Sequence, residues 1–276
     1  MESRAGRSVL VTGAGGGFGR AIAERLARSG DRVVGTVRSP ERAARLTEEA
    51  RAAGLELTLL PLEITDAAQA GALAKRLEAQ GGLDLLVHNA GFGVFGAVEG
   101  VDGESAGRQF AVNLLGPLEL TRALLPGLRR RRGRVVWIGS LAGRFALPFQ
   151  AHYSASKAAV AALSDAMRIE LAPLGVSVSC VEPGDFATGF TDARQRPLAD
   201  DSPYADRLAR CLDAVEQQER GGGDPAWVAR AVERLSRMRR PPARLPVGRW
   251  ARTMCLLGRL LPDRAREALV RQLYRD

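Results

Sequence analysis

Apolar residues fall along this chain in short runs set between longer amphipathic stretches. Val9-Leu10-Val11 is followed by Ala21-Ile22-Ala23-Glu24-Arg25-Leu26-Ala27, whose apolar positions recur at helical spacing. The alternation continues through the runs Val33 to Val37, Leu55 to Leu60, Leu83 to Val87, Val135 to Ile138 and Val176 to Val181. Each reads as a strand, and helical segments separate most of them. Apolar strands joined by helices predict parallel β-α-β units, hence an α/β fold with a doubly wound parallel sheet and helices on both faces. Leu245-Pro246-Val247 reads as one further strand, and its proline confines it to an edge.

Composition changes this picture little. At 276 residues and 46% hydrophobic, the chain suits one large domain with a real core. The net charge of +9 raises the question of nucleic acid, and Arg129-Arg130-Arg131-Arg132 is its densest cluster. That cluster ends a helix, where cations complement the negative end of the dipole. The remaining charge is scattered with little aromatic interleaving, so a solvated surface and no nucleic-acid partner are expected. Cys180, Cys211 and Cys255 are odd in number and widely spaced, as reduced thiols of a cytoplasmic protein would be. The two histidines, His88 and His152, argue against a histidine-based metal site; each either touches the functional site or packs locally. The first strand begins within eight residues, so no signal peptide is expected, and no apolar run approaches the ~20 residues of a membrane span.

The chemistry concentrates in a few places. Thr12-Gly13-Ala14-Gly15-Gly16-Gly17-Phe18-Gly19 joins the first strand to the first helix. A glycine-rich turn in that context admits a pyrophosphate against free N–H groups and the positive end of a helix dipole. Further on, Tyr153 and Lys157 stand four apart in Tyr153-Ser154-Ala155-Ser156-Lys157, so they share one helical face. An ammonium beside a phenol favours the phenolate and lets it exchange a proton with an alcohol or carbonyl. Lys75 and Lys157 are the only lysines among the 40 basic residues. A lysine at this position therefore suggests a need for a compact, titratable charge.

Together these motifs resemble the short-chain dehydrogenase/reductase family in its single-domain form. The glycine pattern Thr-Gly-x-x-x-Gly-x-Gly is that family's version. Asn89-Ala90-Gly91, Asn113, Gly139-Ser140, Tyr153 with Lys157, and Pro183-Gly184-Asp185-Phe186-Ala187-Thr188 follow in the family's order. The resemblance runs from about Val9 to Thr188, in motif style close to hydroxysteroid and retinol dehydrogenases. It implies a Rossmann-type dinucleotide-binding domain over 1–248 with a substrate lid at about 185–223, then a helical extension over 249–276. It also implies catalytic roles for Asn113, Ser140, Tyr153 and Lys157. Cofactor contacts are implied for Gly13, Gly15, Gly17, Phe18, Gly19, Asn89, Ala90, Gly91, Tyr153, Lys157, Pro183, Gly184 and Thr188. The family's usual Asp after the third strand is Glu63 here, which offers the same acceptor to the cofactor on a longer arm, followed by Ile64, whose backbone N–H is the favoured adenine contact.

The strand Val33 to Val37 ends without the carboxylate that would hold the ribose of NAD, and Arg38 follows it. A guanidinium suits a 2′-phosphate, so NADP(H) is the expected cofactor, with Arg42 one helical turn on. The implied activity interconverts a ketone and a secondary alcohol on a hydrophobic substrate, steroid-like, retinoid-like or fatty-chain. A non-catalytic NADP(H)-sensing protein is the alternative. Phe145, Leu147, Phe149, Phe186 and Phe190 read equally as ligand wall and as core. Relatives are often dimers or tetramers, so a homo-oligomer is expected. Trp250, Met254, Leu257 and Leu261 mark a basic amphipathic helix, with a second from Arg264 to Tyr274. It suits packing on the domain, where it would cap the site, packing on a second subunit, or a weak contact with a membrane surface.

Overall fold

A computed structural model describes residues 6–188 and 202–274. Among these, seven strands form one sheet: β1 (Ser8–Val11), β2 (Arg32–Val37), β3 (Leu57–Pro61), β4 (Leu85–His88), β5 (Arg134–Ile138), β6 (Ser177–Pro183) and β7 (Arg244–Val247). All pairs are parallel, in the order β3-β2-β1-β4-β5-β6-β7. The proline-bearing β7 takes an edge, where a missing N–H costs no ladder bond.

The helices are α1 (Gly17–Arg28), α2 (Pro40–Ala52), α3 (Ala67–Ala79), α4 (Gly103–Phe110), α5 (Gly116–Arg131), α6 (Ala151–Leu171), α7 (Ala205–Arg220), α8 (Ala226–Arg237), α9 (Ala251–Leu260) and α10 (Asp263–Tyr274). Period-two alternation divides each central strand between two cores. Val9, Val11, Leu85, Val87, Val136 and Ile138 meet α1, α2 and α8 on one face. Leu10, Leu86, Val135 and Trp137 meet α3, α5 and α6 on the other. Both faces are dry, which is why these strands read as unbroken apolar runs.

The Arg129 to Arg132 cluster is tied locally: Arg130 pairs with Glu78, Arg131 with Asp84, and Arg132 takes the left-handed cap of α5. No helix among the described residues is long and apolar enough to cross a membrane. The lid expected at about 185–223 is described at its two ends. At its base, Gly223 N donates to the Asp185 carbonyl and Ala187 N to that of Gly223. Phe190 lies outside the described residues.

Candidate active site

Crossovers from β1 run one way across the sheet and those from β4 the other, leaving a crevice beyond their carboxyl ends. Two loops meet there and hold each other. The Thr12 hydroxyl accepts from Asn89 N (3.0 Å) and Ala90 N (3.1 Å). In return the Asn89 amide donates to the carbonyls of Thr12 (2.9 Å) and Gly13 (3.0 Å). Gly13 sits at φ 67°, and at Gly19 a Cβ would lie 2.4 Å from the Asn89 amide nitrogen. Glycine is required at both, at one for the backbone and at the other for the lock.

The glycine loop fits a dinucleotide. It opens α1 with no acidic side chain in the first turn, so the helix presents an uncompensated positive end. Gly13, Gly16, Gly17, Phe18, Asn89, Ala90 and Gly91 line one cavity of about 680 Å³, together with Pro183, Gly184 and Thr188. A Cβ on Gly17 would stand 3.5 Å from Thr188, so the far wall closes over the loop without filling it. Gly15 and Gly19 support the loop from outside the cavity lining. Arg42 lines the cavity too, donating 2.7 Å to the Gly15 carbonyl. Arg38 is exposed at the end of β2. Glu63 and Ile64 are not among the residues that line this cavity; the Glu63 carboxylate accepts from Thr65, and the Ile64 side chain is buried in the core under α3.

Ser140, Tyr153 and Lys157 share the same cavity. Ser140 begins a single turn, 141–143, and its hydroxyl oxygen accepts from Ala142 N (3.1 Å). That turn lies on α6 because Gly143 has no side chain; a Cβ there would come 2.8 Å from the Lys157 carbonyl. Lys157 is buried, donates to the Ile138 carbonyl (3.0 Å) and stands 5.8 Å from the Tyr153 ring centroid. Burial without a carboxylate partner lowers its pKa from 10.5 to about 8. Asn113 lies outside the cavity lining, in a wide π-type turn (Ala111–Leu115) between α4 and α5. Such turns recur at functional sites. Its amide grips the Phe92 backbone (N–H and C=O both 3.0 Å) and donates to Ser156, whose hydroxyl donates to the Tyr153 carbonyl.

His88 belongs to the core. Thr121 gives its proton to the Pro117 carbonyl, so the His88 Nε2–H donates to it across 2.7 Å. Full burial holds the imidazole neutral, with its pKa lowered to about 3.

Beyond Tyr153 the cavity walls are mainly apolar: Leu141, Phe145, Leu147, Phe186 and Val215. Phe186 is at once wall and core, set edge-on to Phe18 (5.2 Å) and Trp227 (6.2 Å). Phe149 is half-buried and packed with Phe95. The roof resolves a question the sequence left open, whether the C-terminal helices cap the site. Trp250 and Met254 of the α9 segment and Val270, Leu273 and Tyr274 of α10 complete the lining, and Gln218 of α7 holds α10 by donating to the Leu273 carbonyl (2.9 Å). The helical spacing of Trp250 and Met254 signalled an apolar face but not its target.

Fold and site define a dinucleotide-dependent oxidoreductase acting between carbonyl and alcohol. The chain belongs to the short-chain dehydrogenase family, whose model matches residues 7–198. Among curated proteins it is similar to the 3-ketodihydrosphingosine reductase of Bacteroides thetaiotaomicron, 33% identical over 96% of this chain and 97% of that one. Among solved structures it is similar to a short-chain dehydrogenase from Streptomyces avermitilis (TM-score 0.83, 36% identity, 97% and 96% of the two chains). A short-chain dehydrogenase/reductase from Burkholderia phymatum in complex with NAD is also similar (TM-score 0.81, 28% identity, 94% of each chain).

Proposed function

We propose that this protein is an NADP(H)-dependent reductase of hydrophobic ketones, in particular long-chain ones. The observation that carries the reading is one cavity with Ser140, Tyr153 and Lys157 at its polar end and mainly apolar walls and roof beyond them, where Asp185 and Glu219 are the carboxylates of the lining. Similarity to a reductase named for 3-ketodihydrosphingosine supports the same substrate class. It covers 96% of the chain, so it reaches past the family motifs into the helices that roof the cavity.

The glycine loop, Asn89 to Gly91, Pro183-Gly184 and Thr188 would hold the cofactor, and Lys157 its ribose. When bound, the reduced nicotinamide supplies the hydride. Tyr153 donates its phenolic proton to the carbonyl oxygen in reduction and takes it back in oxidation. The Ser140 oxygen already accepts from Ala142 N, which leaves its own proton to donate to the same carbonyl oxygen. The Lys157 ammonium stabilises the phenolate left behind. Asn113 acts as a positioning residue, fixing the first turn of α6 through Ser156.

For the cofactor, Arg42 of α2, against the glycine loop, and Arg38 at the end of β2 favour a 2′-phosphate, and no carboxylate ends β2. The similar Burkholderia structure holds NAD, so the preference rests on these two arginines. The Arg38→Ser/Arg42→Ser double variant is expected to weaken NADPH binding about 100-fold, at roughly tenfold per charged hydrogen bond lost, and to leave NADH binding nearly unchanged. Titration of each nucleotide by fluorescence measures this. Equal affinities in the parent protein, unmoved by the substitutions, would refute the preference.

A further inference from the structure

The exposed face of α9 plays no part in the reaction outlined above. Trp250, Leu256 and Leu260 are 67%, 58% and 71% exposed, a concentration of large apolar groups that water does not favour. Trp250, Leu257 and Leu260 share one helical stripe, with Leu256 beside it. Arg252 and Arg259 stand one turn to either side of Leu256, so cationic and apolar groups share a surface. From Arg234 to Pro262 the sequence holds eight arginines and no Asp or Glu.

Between α9 and α6 runs a groove of about 760 Å³ whose lining includes Arg144, Arg168, Arg244, Arg252, Arg259 and a single carboxylate, Asp165. Arg244 binds Asp165 (2.7 Å), Arg144 binds the buried Glu182 (2.8 Å), and Arg168 donates to two backbone carbonyls. Arg252 and Arg259 have no carboxylate partner among the described residues.

Three occupants differ in how they meet this surface. A second copy docking by twofold symmetry would set the arginine groove against itself. A nucleic acid would neutralise the arginines but press phosphates onto leucines. An anionic bilayer satisfies both, taking Trp250 and the leucines into its interfacial layer and the arginines onto its headgroups. We propose that α9 docks this protein onto an anionic membrane surface. Trp250 also lines the cavity, so the docked face adjoins the cavity mouth. If the reading of an apolar ketone substrate holds, docking lets that substrate pass from lipid to cavity without crossing water.

The test is flotation of the full-length protein with vesicles of phosphatidylcholine alone or mixed with phosphatidylglycerol. Binding is expected only to the mixed vesicles, and release at about 1 M salt, where screening acts within ~3 Å. Arg252→Gln/Arg259→Gln is expected to lower the partition coefficient about 25-fold, at roughly fivefold per arginine. Leu256→Gln/Leu260→Gln is expected to lower it at least tenfold. Neither pair lines the catalytic cavity, so turnover of a short soluble ketone is expected to stay unchanged. Emission of the exposed Trp250 is expected to shift blue on binding.

Wild-type protein that stays in solution with anionic vesicles at low salt would overturn the proposal. A leucine variant that floats like wild type would also overturn it, leaving adsorption to any polyanion, nucleic acid included. Light scattering that finds a dimer abolished by the leucine substitutions would assign the face to a second copy. Vesicle binding without ketone turnover would keep the docking and reject the reductase reading.

Discussion

In the proposed reaction Lys157 supplies the charge, and burying that charge carries an electrostatic cost. With its pKa near 8, it is protonated below that pH and neutral above it. Reduction is therefore expected to show kcat/KM constant below about pH 8 and falling above it, with saturating NADPH. Lys157→Arg keeps its charge, so what activity remains is expected to lose this alkaline limb. The stability effect has the opposite sign. The unfolded chain holds this proton to about 10.5 and the folded chain only to about 8, so the cost of burying the charge is present below pH 8 and relieved as pH rises to 10.5. Lys157→Met is accordingly expected to raise the melting midpoint at pH 7 while abolishing turnover; a lowered midpoint would contradict the buried-charge account. The sequence disclosed this lysine because lysine is rare in it. It left His88 open between site and packing, because a histidine's role follows from its neighbours, here Thr121 and Trp137 on other elements.

At the scale of elements, the site depends on how closely segments approach one another. The turn 141–143 brings Ser140 to Tyr153 only because Gly143 lies against the Lys157 backbone. Gly143→Val is expected to cost roughly 1–3 kcal/mol of stability by overpacking. It should also cut kcat more than tenfold with NADPH affinity retained, because Ser140 moves and the glycine loop does not; thermal melts and steady-state kinetics measure the two effects. All seven strands were legible from their apolar runs, since the central strands of the sheet are buried on both faces. The wide turn that places Asn113 was not legible. Its sequence, Ala111-Val112-Asn113-Leu114-Leu115, has ordinary helical periodicity, and only the gripped Phe92 backbone shows why it widens.

At the scale of the molecule, the cavity is shared between the family's nucleotide-binding frame and a roof made by α9 and α10. A sequence shows that a helix has an apolar face, but what that face covers depends on contacts distant along the chain, such as Gln218 to Leu273. The roof is also where substrate length is expected to be read. Met254→Ala is expected to raise KM for a long-chain ketone about tenfold, through the loss of roughly two buried methylenes' worth of contact, and to leave that for a short ketone nearly unchanged. Equal effects on both would take the roof out of substrate recognition. The central claim is ketone reduction by Tyr153 in an apolar cavity, and NADPH oxidation against ketones of increasing chain length tests it most directly. The account predicts that kcat/KM rises with chain length and that Tyr153→Phe lowers turnover about 100-fold or more with NADPH binding intact. Turnover that is indifferent to chain length, or retained in full by Tyr153→Phe, would contradict it.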